Sequence, residues 1–198
     1  MFSNNLTMMT DLYELTMMQG YFFEGNNDTV VFDVFYRKNP SGSAYAIACG
    51  LDQVIDYIKN LSFSYEDIDY LRGLGIFKED FLSYLAGFHF SGDIYAIPEG
   101  SVVFPKEPLV KVIAPIMEAQ LVETAILNII NHQSLIATKA SRVDYAAGGG
   151  VFVVHKDQMP EHSVQELPLS VDVPELLTYL PENFTAFLFR EHMHTAGL

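Results

Sequence analysis

Residues 115–147, held between Pro115 and the glycine triplet 148–150, constrain the fold of this chain more than any other stretch. Proline suits the first turn of a helix, where its missing N–H has no partner to lose, and glycine supplies the stop. Between these marks Leu121, Val122, Ala125, Ile126, Ile129 and Ile130 give a wide apolar face, so most of the helix has to be buried. Such a helix is stable only when other elements cover it.

The preceding residues read as that cover. The spacing predicts a helix opened by Asp11, with Glu14 placed to return the cap. Leu12, Leu15, Met18 and Phe22 share one face, and Tyr13, Met17 and Tyr21 form a second stripe. TVVFDVFYRK (29–38) reads as a strand ended by the turn-rich NPSGS (39–43), with AYAIACG (44–50) as its partner strand. LDQVIDYIKNL (51–61) is helical, with Leu51, Val54, Ile55 and Ile58 on one face. Ser64 caps YEDIDYLRGLG, and Phe77 opens a short helix through KEDFLSYLAGF. Residues 89–115 carry short β-like runs broken by Pro98, Pro105 and Pro108, and read as a small antiparallel sheet with its prolines in loops or at edges. The class is α/β: an α+β domain over 1–114, then a long helix over 115–150.

Composition removes several function classes. Eleven Lys and Arg against 25 Asp and Glu leave a formal net charge of −14, which argues against a nucleic-acid surface. A phosphate site stays open, because backbone amides and a few local cations can hold phosphate. The single cysteine, Cys49, forbids an internal disulfide and suits a cytoplasmic protein. No apolar run reaches membrane-spanning length, and the N-terminus lacks the basic and apolar regions of a signal peptide.

After Gly150 the texture changes. Residues 151–198 hold four of the nine prolines and four of the six histidines but two of the eleven Lys and Arg. Pro168, Pro174 and Pro181 leave little room for long helices. His155, His162, His192 and His194 match no compact ligand spacing, and no cysteine joins them, so a metal site is not expected.

Up to Gly150 the motifs TDLYELTMMQGY (10–21), FDVFYRKNP (32–40), GLDQVIDYI (50–58), GDIYAIPEGSVVFPKEPLVKVIAPIMEAQLVET (92–124) and NIINHQSLIATKASRV (128–143) resemble nicotinate phosphoribosyltransferases closely and in order. The resemblance covers about three quarters of the chain. It implies an N-terminal α/β domain leading into a type II phosphoribosyltransferase α/β barrel, here truncated. It implies an enzyme that joins nicotinate to phosphoribosyl pyrophosphate, giving nicotinate mononucleotide and pyrophosphate in NAD salvage. ATP hydrolysis is coupled through a phosphorylated histidine, Mg²⁺ assists, and the enzyme is a homodimer. The barrel motifs that carry this chemistry are not found in frame after the glycines, so no catalytic residue is assigned and this chain is expected to be inactive alone. Two alternatives stand: a non-catalytic interaction or regulatory domain derived from the same fold, and a sister enzyme acting on quinolinate or nicotinamide.

The tail has its own explanation. Read one frame over, codon degeneracy permits Val173 to Ala196 to encode AGTSNVLAGKLYGIPVSGTHAHSW, and Ser163 to Val173 to encode GARAAIIGGCA. Both strings resemble the family's next motifs, in the right order. Residues 151–198 therefore read as barrel sequence translated out of frame, and a sequence never selected to bury a stripe is expected to pack poorly.

Tyr13 is the first candidate substrate-binding residue. The resemblance gives it a contact with the nicotinate ring, and a flat aromatic suits a flat pyridine; its place in the 13/17/21 stripe would equally make it core. Arg37, with Lys38, could meet a carboxylate or phosphate, or cap a solvated strand end. Lys139 and Arg142 could contact phosphate, or simply favour the dipole near the end of the long helix. Asn131, His132 and Ser134 are polar on a mostly apolar helix, where hydrogen-bonded burial is the commoner role. Cys49 reads as packing rather than nucleophile.

Overall fold

The computed structural model describes residues 5–39 and 43–146, with the backbone alone for Asp144, and the backbone of Ala186–Glu191. In chain order the elements are α1 (Leu12–Glu24), β1 (Thr29–Tyr36), β2 (Ala46–Ile47), α2 (Leu51–Lys59), α3 (Tyr65–Gly73), α4 (Glu79–Ala86), β3 (Asp93–Ala96), β4 (Val102–Val103), β5 (Val110–Pro115), α5 (Ile116–Ala146) and β6 (Ala186–Glu191). The long helix is there, beginning one residue after Pro115, which ends β5. The glycine triplet expected to stop it lies outside the described residues.

β1 organises the main sheet, whose strand order is β3-β5-β1-β6 with antiparallel neighbours throughout. Its sequence alternates: Val30, Phe32, Val34 and Tyr36 are buried, while Val31, Asp33 and Phe35 are partly covered on the other face. Val110, Val112 and Ala114 of β5 bury on the same side, and α5 lies against both strands. The turn from strand to helix is pinned where the Ile116 N–H donates to the Asp28 carbonyl at 2.9 Å. From there Met117, Leu121, Val122, Ala125, Ile126, Ile129 and Ile130 fill the core, the face the sequence marked out. On the open face Lys111 stands 3.3 Å from Asp33.

Two short strands, β2 and β4, form a separate pair. This corrects the expectation that residues 44–50 pair with the preceding strand: β1 takes β5 and β6 instead. Gly50 shows why the chain turns away. Its φ of +107° favours glycine, and a Cβ there would stand 3.1 Å from the Ile129 carbonyl oxygen. The corner before α2 thus lies directly on α5. The Gly50 N–H donates to Glu99 Oε1 at 2.6 Å, which caps α2 from the β3–β4 loop.

Rings of α1, of α4 and of the segments just before α3 and just after α4 close one side. Phe22 of α1 meets Tyr84 at 5.3 Å between centroids, Tyr84 meets Phe88 at 6.2 Å, and Phe88 meets Phe63 at 6.1 Å. Ser64 caps α3 as expected, accepting from the Asp67 N–H at 3.1 Å. Pro98, Pro105 and Pro108 all fall between strands. Two stripes shift from expectation. Leu12 is 53% exposed although α1 was expected to bury it. On α2 the buried residues are Val54 and Tyr57, with Ile55 turned outward.

The tail also departs from expectation at one place. Ala186–Glu191 (AFLFRE) forms β6, with Val34 opposite Leu188 and Tyr36 opposite Ala186. Backbone pairing at an open edge asks only for a short β-competent run, so a strand forms there whatever the origin of the residues. The rest of 151–198 lies outside the described residues.

Candidate functional site

The first turn of α1 is built by its cap. Asp11 holds extended angles (φ −83°, ψ 146°), and Glu14 reaches back so that Oε2 accepts the Asp11 N–H at 3.0 Å. The Thr10 hydroxyl donates to the same oxygen. The other oxygen, Oε1, lies 2.9 Å from Thr124 Oγ1 on α5. Glu14 is completely buried. One residue earlier, Tyr13 faces outward and is 50% exposed. The stripe 13/17/21 is therefore not a core stripe, since Met17 is exposed as well and Tyr21 is partly covered. What anchors Tyr13 is the burial of its neighbour.

Across from this turn, Gln120, Glu123 and Thr124 share one face of α5. Gln120 Nε2 donates to Glu123 Oε2 at 3.2 Å, and Thr124 Oγ1 also lies 3.2 Å from Asp11 Oδ2. Loss of water pushes the Glu123 carboxyl up to about 7, and the charges of Glu14 and Asp11 add to that. Burial raises Glu14 too, against the lowering effect of hydrogen bonds from Thr10, Asp11 and Thr124. The Tyr13 hydroxyl is pushed up to about 12, first by partial burial and then by Glu123, Glu14 and Asp11. The ring thus stays a neutral phenol. It offers a flat apolar face beside the Glu123 carboxyl, which holds its proton close to neutrality, so a hydrogen-bond donor as well as acceptors lies close by.

The candidate cations sit elsewhere. Arg37 is exposed just beyond β1. Lys139 is partly covered and Arg142 exposed on α5, roughly 22 and 27 Å past Thr124 at about 1.5 Å per residue. Tyr36, next to Arg37, donates its hydroxyl to the Val103 carbonyl at 2.8 Å; Val103 pairs with Ala46; and the Ile47 N–H donates to Thr138 Oγ1 at 2.9 Å. These links bring Arg37 and Lys139 toward one end of the domain and Tyr13 toward the other. The last turn of α5 carries no basic residue, and the dipole effect fades beyond it, so the expected dipole role of Lys139 and Arg142 weakens.

Ser134, Thr138 and Ser141 explain the polar side of α5. Ser134 Oγ accepts the Cys49 N–H and donates to the Cys49 carbonyl, each at 3.1 Å. Ser141 Oγ lies 3.3 Å from the Tyr45 hydroxyl. Cys49 is thereby fixed as a packing residue: burial, with Glu99 nearby, pushes its thiol up and disfavours the thiolate a nucleophile needs. His132 is partly covered, and the buried Asn131 Oδ1 has no hydrogen-bond partner among the described residues. Among the described residues no group of three or more His, Cys, Asp or Glu is placed to hold a metal, and both Glu14 oxygens are already engaged. The carboxyls around Tyr13 do not fit Mg²⁺. No helix among the described residues is long and apolar enough to cross a membrane.

Sequence reasoning singled out Tyr13 and passed over Glu123 and Thr124. The available signal was Gln120, Glu123 and Thr124 at helical spacing beside the otherwise apolar face of the long helix.

Comparison with known proteins sets this geometry in a family. The sequence model for the nicotinate phosphoribosyltransferase N-terminal domain matches residues 8–131. Nicotinate phosphoribosyltransferase pncB2 of Mycobacterium tuberculosis is 52% identical over 142 residues, which cover 72% of this chain and 31% of that protein. The Bacillus subtilis nicotinate phosphoribosyltransferase is 42% identical over 149 residues, covering 75% and 30%. Human nicotinic acid phosphoribosyltransferase superposes with a TM-score of 0.68 at 31% identity, over 76% of this chain and 32% of that one. A nicotinate-nucleotide pyrophosphorylase from Pyrococcus furiosus, at 21% identity and TM-score 0.54, shares the fold over 75% of this chain and 32% of that one. The chain spans about a third of the length of the curated relatives it matches. It belongs to the nicotinate phosphoribosyltransferase family, whose N-terminal domain its first two thirds form.

Proposed function

We propose that this chain supplies the ring-binding side of a nicotinate phosphoribosyltransferase and that, alone, it binds nicotinate without turning it over. One observation carries the reading: Tyr13, in the DLYELT motif, is half exposed where helical periodicity alone would bury it. A ring held open by a buried neighbour can stack on a flat pyridine, which supports this reading. In the complete enzyme the reaction joins that pyridine nitrogen to phosphoribosyl pyrophosphate, releasing pyrophosphate with coupled ATP hydrolysis. Arg37, Lys139 and Arg142 are proposed contacts for the phosphates; they lie toward the other end of the domain, so a donor that meets the ring stacked on Tyr13 reaches them only where that Tyr13 belongs to the second copy of a homodimer. Mg²⁺ and ATP belong to parts of the enzyme outside the described residues. A homodimer is supported by the apolar side chains that α1 leaves outside, among them Leu12, Met17 and Phe23, and a cytoplasmic setting by the lone cysteine.

The test is calorimetric titration of the 198-residue chain with nicotinate, alongside turnover with phosphoribosyl pyrophosphate, Mg²⁺ and ATP. Binding is expected. Tyr13→Ala should weaken it about fivefold, the equivalent of about 1 kcal/mol of stacking. A folded Tyr13→Ala variant that binds as the parent does would remove Tyr13 from the site. Turnover at ordinary enzyme rates would defeat the fragment reading.

A further inference from the structure

Thr124 presents a problem of hydrogen count. Its Oγ1 stands 2.9 Å from Glu14 Oε1 and 3.2 Å from Asp11 Oδ2, yet a hydroxyl carries one hydrogen. With both carboxyls ionised, Thr124 serves one of them and its other contact sets two acceptor oxygens against each other. One added hydrogen resolves this. Placed on Glu14 Oε1, it lets Glu14 donate to Thr124 and Thr124 donate to Asp11. Glu14 Oε2 remains the acceptor for the Asp11 N–H and the Thr10 hydroxyl. Of the two acids, Glu14 is the one to hold the hydrogen, because it is wholly buried and Asp11 is exposed; burial penalises the charged form.

The interior side of the junction gives Glu14 no further donor: Tyr57 of α2 is 4% exposed, and its hydroxyl has no hydrogen-bond partner among the described residues. The groups facing this junction are Asp11 at the cap, Tyr13 on α1, Tyr57 on α2, and Gln120, Glu123 and Thr124 on α5. Among these described residues none is basic, so a proton is the positive charge available to Glu14.

We propose that Glu14 is a positioning residue that acts as a neutral acid, donating through Thr124 to Asp11 and so fixing the Tyr13 turn of α1 on α5. When the proton leaves, it passes from Glu14 to Thr124, the Thr124 hydrogen passes to Asp11, and Asp11 gives one up to solvent. The repelling pair then loosens the turn. The effect on ligand affinity rests on the proposed role of Tyr13; the bound proton does not.

The test uses the whole chain labelled with ¹³C at glutamate Cδ, observed about one pH unit above the ordinary glutamate pKa of about 4.3. The signal that vanishes in Glu14→Gln should sit at the acid position in the parent, separate from the one that vanishes in Glu123→Gln. A carboxylate position for the Glu14 signal overturns the proposal. If the glutamine variant does not fold, through-bond assignment of the parent signal decides. Glutamine is the neutral isostere, so Glu14→Gln should keep the parent Tm and vary less with pH, whereas Glu14→Ala loses Tm. A glutamine variant as damaged as the alanine one, with parent Tm rising through neutral pH, also overturns it. Nicotinate affinity of the parent should fall severalfold as pH rises, and less so in Glu14→Gln. A chain that binds no nicotinate refutes the proposed function, while the Cδ signal still judges Glu14.

Discussion

Ser134→Ala should be among the most damaging small substitutions on α5. The serine oxygen closes two bonds to Cys49, one accepted and one donated, each at 3.1 Å. It is wholly buried, and Ala48 and Gly50 on either side of Cys49 are buried too. Alanine removes both partners at once and brings no replacement. An orphaned buried polar group costs about 1–3 kcal/mol, so two sharing one lost oxygen come to about 2–4 kcal/mol. Against a total stability of about 5–15 kcal/mol that is a large fraction. In urea, with a slope of about 2 kcal/mol per molar, the midpoint should fall by about 1–2 M. Ser141→Ala is the control: its oxygen bonds at 2.9 and 3.3 Å in a partly covered position, and the loss should stay below about 1 kcal/mol. Equal midpoints for parent and Ser134→Ala would show that the α5 hydroxyls do not hold the β2 segment, and the account of that interface would fall.

Glu123 makes stability depend on pH in a stated direction. Its folded value of about 7 lies above the ordinary 4.5, so the folded state binds the proton more tightly and this contribution is complete below about 4.5 and lost as pH rises through about 7. Thermal unfolding from pH 5 to 8 should show the decline, and Glu123→Gln should flatten it; an unchanged slope in the variant contradicts the assignment. For the tail, sequencing the gene should show codons that permit Gly-Thr-Ser-Asn and His-Ala-His in the shifted frame, with family-like sequence continuing past Leu198. Codons that forbid those strings end the out-of-frame proposal.

Local chemistry was readable and long-range pairing was not. Asp11 with Glu14, and Ser64 alone, announce helix starts because each cap is settled within four residues. The long helix was readable because its apolar face repeats over many turns. The partner of residues 44–50 was not, because nothing within those residues encodes that β1 is taken on both sides by β5 and β6. Periodicity also misjudged α1 and α2. It ranks residues by apolarity, so it put Leu12 and Ile55 on buried faces and included neither Glu14 nor Tyr57, whereas packing put Glu14 and Tyr57 inside. At the candidate site Tyr13 came from motif resemblance. Its neighbour Glu123 arises from the crossing of α1 and α5, which no single segment encodes.

α5 spans roughly 46 Å at about 1.5 Å per residue over its 31 residues. It behaves as a stiff beam clamped at two stations, Thr124 on α1 and the Ser134–Thr138–Ser141 row on the β2 segment. Pivoting by about 5° at the first station would displace Lys139 by about 2 Å, given the roughly 22 Å between them, and would break the bonds of the second. Leverage of this kind ties the aromatic end of the domain to its cationic end: neither can change height without straining the other's clamp.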